Sequence, residues 1–416
     1  MKKLLILGGK PIGSVEIVRR AKELGYYTIV TDYLDKEDSP AKREADEDWS
    51  VSTAHIEELT ELSIKHGICG VTTGVHEFNI NRMLDLCERM NLPCYCSREA
   101  WQYCDNKLMF KNLCAENSIP IAKKYTINAV CEIDFPVITK PVDGSGSRGF
   151  HICSNFNELK AGYEDALSYS PSGQVLIEEY IPYNSVIIHY TLQNGKCNYS
   201  GMSDKISVKF KNTGSSVMGI QTFPSKGENI YMKTLNERVC RMFEKAGFKN
   251  GPMWIEAFYD GVDKFIFNEI GYRFGGSLTY YPVKYFYGTN QLDALIQNAM
   301  GETSNAVIGK RICHQRKYCI LPVHIKAGKI MDVIGEDSIR QLDDVHAFVP
   351  VHFKGDNIQN WGSAQQVFCY LHILYDSIDG LKKSIKEILL TLYAINEHGE
   401  NMLYTLFDLD SIPNIE

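Results

Sequence analysis

Phe135-Pro136-Val137-Ile138-Thr139-Lys140-Pro141-Val142-Asp143-Gly144-Ser145-Gly146-Ser147-Arg148-Gly149-Phe150-His151-Ile152-Cys153 is the stretch whose reading decides the fold. Gly144 to Gly149 spells G-x-G-x-x-G, which in a dinucleotide-binding unit opens a helix. Here the apolar run Phe135–Lys140 precedes the glycines and Gly149–Cys153, a second strand-like run, follows them, so they join two strands as a hairpin flap. Glycines lack the Cβ that keeps a backbone away from an anion, so the N–H groups of such a flap can close over one. A Walker A loop is excluded, because no Lys-Ser or Lys-Thr follows. Lys140 ends the first strand beside whatever the flap covers. Lys107, on a helix expected over Asp105–Asn117, offers a second positive charge.

Two later runs carry acid. Trp254-Ile255-Glu256-Ala257-Phe258-Tyr259 and Lys264-Phe265-Ile266-Phe267-Asn268-Glu269-Ile270 read as a hairpin turning at Asp260–Asp263. Alternation of period two puts Glu256 on the face of Trp254 and Phe258, and Glu269 on the face of Phe265 and Phe267. A turn centred near Val262 sets the glutamates opposite or one diagonal step apart, about 4.5–8 Å between Cβ atoms. Like charges facing each other on apolar strands destabilise a hairpin, and a shared cation removes the conflict. Magnesium takes oxygen ligands and bridges carboxylates to phosphates. The plainer alternatives are a glutamate exposed at a strand edge or paired with Arg273. Arg273 itself can fork onto a phosphate or a carboxylate substrate, or serve in a structural ion pair. Between the two ends Leu176-Ile177-Glu178-Glu179-Tyr180-Ile181 runs from a strand into an acidic hinge. Cations and backbone donors come first and carboxylates last, the set that a nucleoside triphosphate with magnesium requires.

The rest of the chain sets the frame. Its 416 residues suit roughly two to four domains. Hydrophobic residues make up 44% and charged residues 23%, as in an ordinary globular enzyme. A net charge of −7 with no basic run argues against a nucleic-acid partner. No apolar run approaches the roughly 20 residues that cross a bilayer, so no membrane partner is expected. The apolar start Leu4–Leu7 is too short for a signal peptide and leads straight into a strand-turn-helix pattern. The 13 cysteines show neither pairing nor zinc-ligand spacing, and the expectation is a reduced, cytoplasmic chain.

Strands at Lys3–Leu7, Tyr26–Thr31 and Ile68–Thr72 alternate with helices at Ser14–Leu24 and Asn79–Met90, and a short strand is expected at Pro93–Cys96. That alternation argues a parallel α/β sheet. Gly8-Gly9-Lys10-Pro11-Ile12-Gly13 lacks the first gap of the dinucleotide fingerprint; it is a tight turn, or one whose amides touch an anionic substrate. Gln193-Asn194-Gly195 marks a hairpin between Ser185–Leu192 and Cys197–Met202. A helix is expected at Ile230–Ala246, and past Gly301 the texture turns β-rich, with a late helix near Gly380–Ile395. His151, His189 and His324 read as structural, His189 being the one close enough to the hinge to line the site.

With these residues in place, the chain resembles the ATP-grasp superfamily, nearest to carboxylate–amine ligases and to carbamoyl-phosphate-synthase-like and biotin-carboxylase-like chains. The Lys-Pro to Ser-x-Gly run at Lys140–Gly149 and the N-E-x-x-x-R-like run at Asn268–Arg273 carry the resemblance. It implies an α/β and α+β architecture. An N-terminal parallel α/β (pre-ATP-grasp) domain would cover 1–97. A two-part ATP-grasp domain would cover 98–303, with a lid over about 123–180, and a C-terminal β-rich domain 304–416. It implies ATP with Mg2+ or Mn2+. Lys107, Lys140, Gly144, Ser145, Gly146, Ser147 and Gly149 would meet the phosphates. Glu178, Glu179 and Ile181 would form the hinge that reads adenine, mainly through backbone groups. Glu256 and Glu269 would bind the metal, and Lys140 and Arg273 would act on the transferred phosphate or the carboxylate.

The implied reaction is ligation of a small carboxylate to an amine through an acylphosphate, with an amino acid as the first choice of substrate and formate or bicarbonate in a purine-pathway enzyme as the second. The alternative of another class is a non-catalytic ATP-binding sensor or scaffold. Analogy favours a homodimer. Tyr318–Asp332 looks like the closing β domain of amino-acid ligases and biotin carboxylases, but no Ala-Met-Lys-Met attachment run occurs. Two positions depart from the family pattern. Gly271 stands where many members carry a metal-binding asparagine, and Pro182-Tyr183-Asn184-Ser185 stands where many carry a ribose-contacting glutamate.

Overall fold

In the computed structural model, residues 1–128, 132–143, 148–302 and 311–412 are described. The chain opens with a four-stranded parallel sheet in the order Glu47–Trp49, Tyr27–Thr31, Lys3–Leu7, Ile68–Thr73. Leu4 to Leu7 are fully buried, as a strand covered on both faces requires. The helix Ser14–Glu23 covers it because Ile17, Val18 and Ala21 fall on one face, and it begins at Gly13, whose φ of 90° places it in the left-handed region. The edge strand Glu47–Trp49 escaped the sequence reading, since its two acids give no apolar signal. The strand expected at Pro93–Cys96 does not form. Tyr95 is instead drawn into the core, where its hydroxyl donates to the Tyr272 carbonyl (3.0 Å) and the Tyr272 hydroxyl donates back to the Tyr95 carbonyl (3.2 Å).

Two antiparallel sheets follow. A small one runs Lys124–Tyr125, Val175–Glu179, Val137–Pro141, His151–Cys153 and is covered by the helix Phe156–Ser168. The last two strands pair antiparallel, Thr139 opposite His151 and Val137 opposite Cys153, so the glycine run does join two strands. The central sheet has nine strands. Its path is Phe265–Gly271, Gly251–Tyr259, Ser185–Gln193, Lys196–Lys209, Ser216–Phe223, Lys317–Ile325, Val367–Tyr375, Val345–Pro350, with Leu403–Tyr404 paired to Lys317–Ile325. Asn194 (φ 51°) and Gly195 (φ 77°) make the expected tight turn.

The C-terminal strands thus continue the central sheet. They also have a core of their own around Leu321, Phe368, Leu371 and Ile385, beneath the helix Ile378–Thr391. The long helix expected at Ile230–Ala246 is two, Glu228–Thr234 and Asn236–Lys245, broken at Leu235. Among the described residues no helix is long and apolar enough to cross a membrane.

Candidate functional site

The single helix expected over Asp105–Asn117 is also two. Arg98–Asp105 ends at Asn106, whose side-chain oxygen accepts from the Met109 N–H (3.0 Å) and caps a new helix, Lys107–Glu116. Lys107 becomes its first residue and Lys111 lies one turn later, so the two ammoniums share a face. Lys111 was missed in the sequence. It is fully buried, forms an ion pair with Glu178 (2.9 Å) and donates to the Phe267 carbonyl (2.9 Å).

Glu178 also meets Lys140. The register sets Glu178 opposite Ile138, so Lys140, two residues on, reaches it diagonally across the small sheet at 2.9 Å. Lys140 donates as well to the Asn268 side-chain oxygen (3.0 Å), tying the small sheet to the central one. Burial pushes Glu178 up, but the Lys140 and Lys111 ammoniums outweigh it and hold this carboxyl below the usual range. The Glu178 side chain is thus turned inward as a bridge between two lysines. Glu179 lies at the sheet's rim, where its carboxylate accepts from the Lys123 N–H (3.2 Å), and Ile181 follows, partly buried. Gly149, with φ 68°, sits where a Cβ would lie 3.0 Å from the Ala166 backbone, so the base of the flap accepts only glycine. Asp143 anchors the other side of the flap by accepting from the Ser170 hydroxyl (2.6 Å) and the Ser172 N–H (2.8 Å). Gly144, Ser145, Gly146 and Ser147 lie outside the described residues.

The acid hairpin differs from its expected pattern in an informative way. Ala257 faces Phe267 and Glu256 faces Glu269, which leaves Asn268 as the extra residue of a bulge. The bulge resets the alternation. Phe265 and Phe267 turn into the core, and Glu269 turns to the face of Glu256 and Trp254, not to that of the phenylalanines as strict alternation predicts. The two carboxylates therefore face each other directly. The Asp260 carboxylate caps the turn by accepting from the N–H groups of Val262, Asp263 and Lys264.

Lys205, another residue the sequence reading passed over, reaches Glu256 from the strand Lys196–Lys209 at 2.8 Å. Burial raises Glu256, but Lys205 outweighs it and holds the carboxyl low. Glu269 is instead held above the usual range, first by burial and then by Glu256 across the hairpin. Burial lowers Lys107, with Glu269 opposing and Lys140 adding to the effect.

Arg273 pairs with neither member of the hairpin. Its Nη2 meets the Glu77 carboxylate at 3.1 Å, Glu77 being the first residue of the helix Glu77–Met90. A cavity of about 360 Å³ gathers Glu77, Asp105, Lys107, Asp143, Glu269 and Arg273, whereas Glu256, Lys140, Lys205 and Glu178 stand outside its lining. A larger cleft of about 720 Å³ lies between the helices Ser14–Glu23 and Tyr280–Tyr287 and the C-terminal segment. Three of its arginines are ion-paired, Arg19 with Glu44 (2.6 Å), Arg20 with Asp293 (2.5 Å) and Arg340 with Glu336 (2.7 Å), Arg43 donates to the Glu37 carbonyl (3.0 Å), and neither hairpin glutamate lines it. The chemistry therefore points to the smaller cavity. His189 is buried and stacks on Phe223 (5.6 Å), a core residue. His324 is fully buried between Phe210 and Tyr404, and His151 pairs with Asp165 (2.7 Å) outside the cavity.

Two carboxylates opposed on a hairpin, one of them held above its usual range by burial and then by the other, suit a divalent cation. Lysines beside the cavity suit an anion bonded to that cation. Among the described residues no cluster of three or more His, Cys, Asp or Glu side chains has metal-binding spacing, so any cation would draw its further ligands from the anion or from water.

Comparison with known proteins identifies a family for part of the chain. Residues 133–280 match the family model for the ATP-grasp domain. Formate-dependent phosphoribosylglycinamide formyltransferase of Wolinella succinogenes is 27% identical over 203 residues, 47% of this chain and 51% of the relative. The chain thus spans about half the length of the curated relatives it matches. L-amino acid ligase from Bacillus licheniformis superimposes with a TM-score of 0.74 over 95% of this chain and 99% of that one, at 16% identity. The biotin carboxylase domain dimer of Hydrogenobacter thermophilus 2-oxoglutarate carboxylase, solved with MgADP and bicarbonate, does so with a TM-score of 0.77 over 94% and 90%, at 17% identity. At such identities these two structures establish the shared fold alone.

Proposed function

We propose, for a chain that carries an ATP-grasp domain over residues 133–280, that it ligates a small carboxylate to an amine at the expense of ATP. The observation that carries this is the direct opposition of Glu256 and Glu269 beside a cavity lined by Lys107 and Arg273, with Lys140 tied to the neighbouring Asn268. The substrate carboxylate oxygen attacks the γ-phosphorus, the bond to the β–γ bridging oxygen breaks, and ADP leaves with that electron pair. The amine nitrogen then attacks the acyl carbon, phosphate departs, and the nitrogen loses a proton.

Such a step needs charge neutralised and atoms aligned more than it needs a protein nucleophile. Lys107 and Lys140 meet the phosphates, the flap Gly144–Gly149 covers them, and Arg273 steadies the transferred group. Glu178, Glu179 and Ile181 border the nucleotide at the hinge. Magnesium held by Glu256 and Glu269 supplies charge neutralisation at the phosphates when bound. The same reading divides the chain at 97/98 and 303/304 and goes with a homodimer and a cytoplasmic location.

An amino acid is the first choice of carboxylate. Activation of formate or bicarbonate is the second reading, favoured by the formate-dependent relatives. An ADP-release screen over pooled amino acids, formate and bicarbonate with candidate amines, followed by product mass, tests all of them. ADP formed only with an amino-acid pair and a product mass matching the amide supports the first, and turnover with formate or bicarbonate selects the second. Tight MgATP binding with no ADP under any pair would replace both with a nucleotide sensor.

A further inference from the structure

The acid hairpin carries one further piece of built chemistry. On the face that presents Glu256 and Glu269, the next cross-strand pair is Trp254 and Gly271, and Arg273 follows two residues beyond. Gly271 is not in the left-handed region, so its backbone does not ask for glycine; the space does. A Cβ at this position would lie 2.4–2.5 Å from three atoms of the Trp254 indole, closer than any side chain tolerates. The indole thus lies across the gap left at Gly271, and its ring sits beneath the Arg273 guanidinium, 5.3 Å from centroid to Cζ. Both Trp254 and Arg273 line the cavity that holds Lys107 and Glu269.

The backbone leading to Arg273 is fixed independently. The Tyr272 hydroxyl accepts from the Lys249 and Asn250 N–H groups and is locked to Tyr95. What remains adjustable is the arginine side chain. Glu77 holds it at one tip, the Phe274 carbonyl at another (3.2 Å), and the indole supports its face, while Nε is buried without a hydrogen-bond partner among the described residues. The guanidinium is thus held at two tips and along its face, with Nε unspent among the described residues, and the residue lines the cavity, where a guanidinium can meet an anion.

We propose that Trp254 is the positioning residue for Arg273, and that glycine at 271 exists to admit its indole. The proposal rests on the ligase reading, in which Arg273 meets the transferred phosphate or the substrate carboxylate. It explains why no side chain at 271 can help hold a metal here: the indole occupies that space and its contribution goes to the arginine instead.

Inorganic phosphate, titrated into MgADP-saturated protein and followed by 31P NMR, is the test. Trp254→Ala should weaken phosphate roughly tenfold, the scale of a lost cation–π support, and Trp254→Phe should recover to within about threefold. MgADP affinity should stay within about twofold throughout, because Trp254 acts on the arginine and not on the nucleotide. Gly271→Ala should weaken phosphate as Trp254→Ala does, and the double variant should be no worse than Trp254→Ala alone, since the added methyl then meets no ring. Equal phosphate affinity in wild type and Trp254→Ala, or additive losses in the double variant, would overturn the proposal. Crystal structures of the two Trp254 variants keep the test independent of the ligase reading. Arg273 should leave Glu77 in Trp254→Ala and stay in Trp254→Phe. An arginine unmoved in both sinks the positioning role, whereas failure of wild type to bind MgADP sinks the ATP reading alone.

Discussion

The cationic and acidic ends of this site are built on opposite electrostatic plans. At the cationic end Glu178 sits between Lys111 and Lys140, each 2.9 Å away, all three nearly or fully buried, and each charge answers another within the protein. At the acidic end two carboxylates face each other, and Lys205 forms its ion pair with Glu256. The Glu178 triad is complete in that its carboxylate has both partners, and in the proposed reading Lys140 serves a phosphate from that mount. At the second end, burial and Glu256 keep Glu269 raised although Lys107, Lys205 and Lys140 oppose them.

Breaking the complete end should have the largest effect. Glu178→Gln strands two buried ammoniums and should cost about 3–5 kcal/mol in urea unfolding; a loss below about 1 kcal/mol would mean water reaches that triad and the contrast is wrong. Next comes Lys205→Met, which leaves Glu256 buried opposite a like charge. It should cost about 2–3 kcal/mol in the unliganded protein, with much of that recovered on adding MgADP. Absence of any recovery would separate the carboxylate pair from the metal.

Glu269→Gln should do the reverse of Glu178→Gln. It relieves repulsion, so the unliganded protein should hold or gain up to about 1 kcal/mol while Mg2+-dependent stabilisation and turnover disappear. Retained magnesium response in that variant would refute the assignment.

The two ends should also answer pH in opposite directions. Glu178 is held low in the folded state, so its contribution is present above its unfolded value and is lost as the medium is acidified through its folded one. Glu269 is held high, so its contribution is full below its unfolded value and is lost as pH rises through its folded one, a loss that magnesium should cancel. His189 and His372, both lowered to about 3 by burial, and His324, lowered to about 4, add a general acid-side loss below their unfolded range. The contrast is therefore read as variant minus wild type, below pH 4.5 for Glu178 and above it for Glu269. The smallest effect belongs to an exposed pair such as Lys123 with Asp134, 3.1 Å apart, whose removal should leave the urea midpoint unchanged within error.

What the sequence made legible were the features set by neighbours along the chain. Strand-loop-strand around Lys140 and Gly149, the turn at Asp260–Asp263 and the apolar strands Lys3–Leu7 and Ile68–Thr73 all depend on local period and turn chemistry. What it hid depends on contacts between distant segments. Lys111 looked like any helical lysine until Glu178 and Phe267 closed over it, and Lys205 looked like any strand lysine until Glu256 met it. The bulge at Asn268 is a one-residue slip that no alternation pattern announces, yet it alone turns Glu269 toward Glu256. Gly271 read as a missing ligand because its occupant, Trp254, belongs to the other strand.

The central sheet has a consequence for how the protein is made. Its strand Ser216–Phe223 pairs on one side with Lys196–Lys209 and on the other with Lys317–Ile325. On a ribosome the acid hairpin emerges well before the latter strand does. For that interval the half of the sheet that carries the chemistry is assembled with a bare row of hydrogen-bonding groups along one margin. That is when a nascent chain is most open to pairing with a neighbour. Pairing of Lys317–Ile325 with Ser216–Phe223 covers that margin.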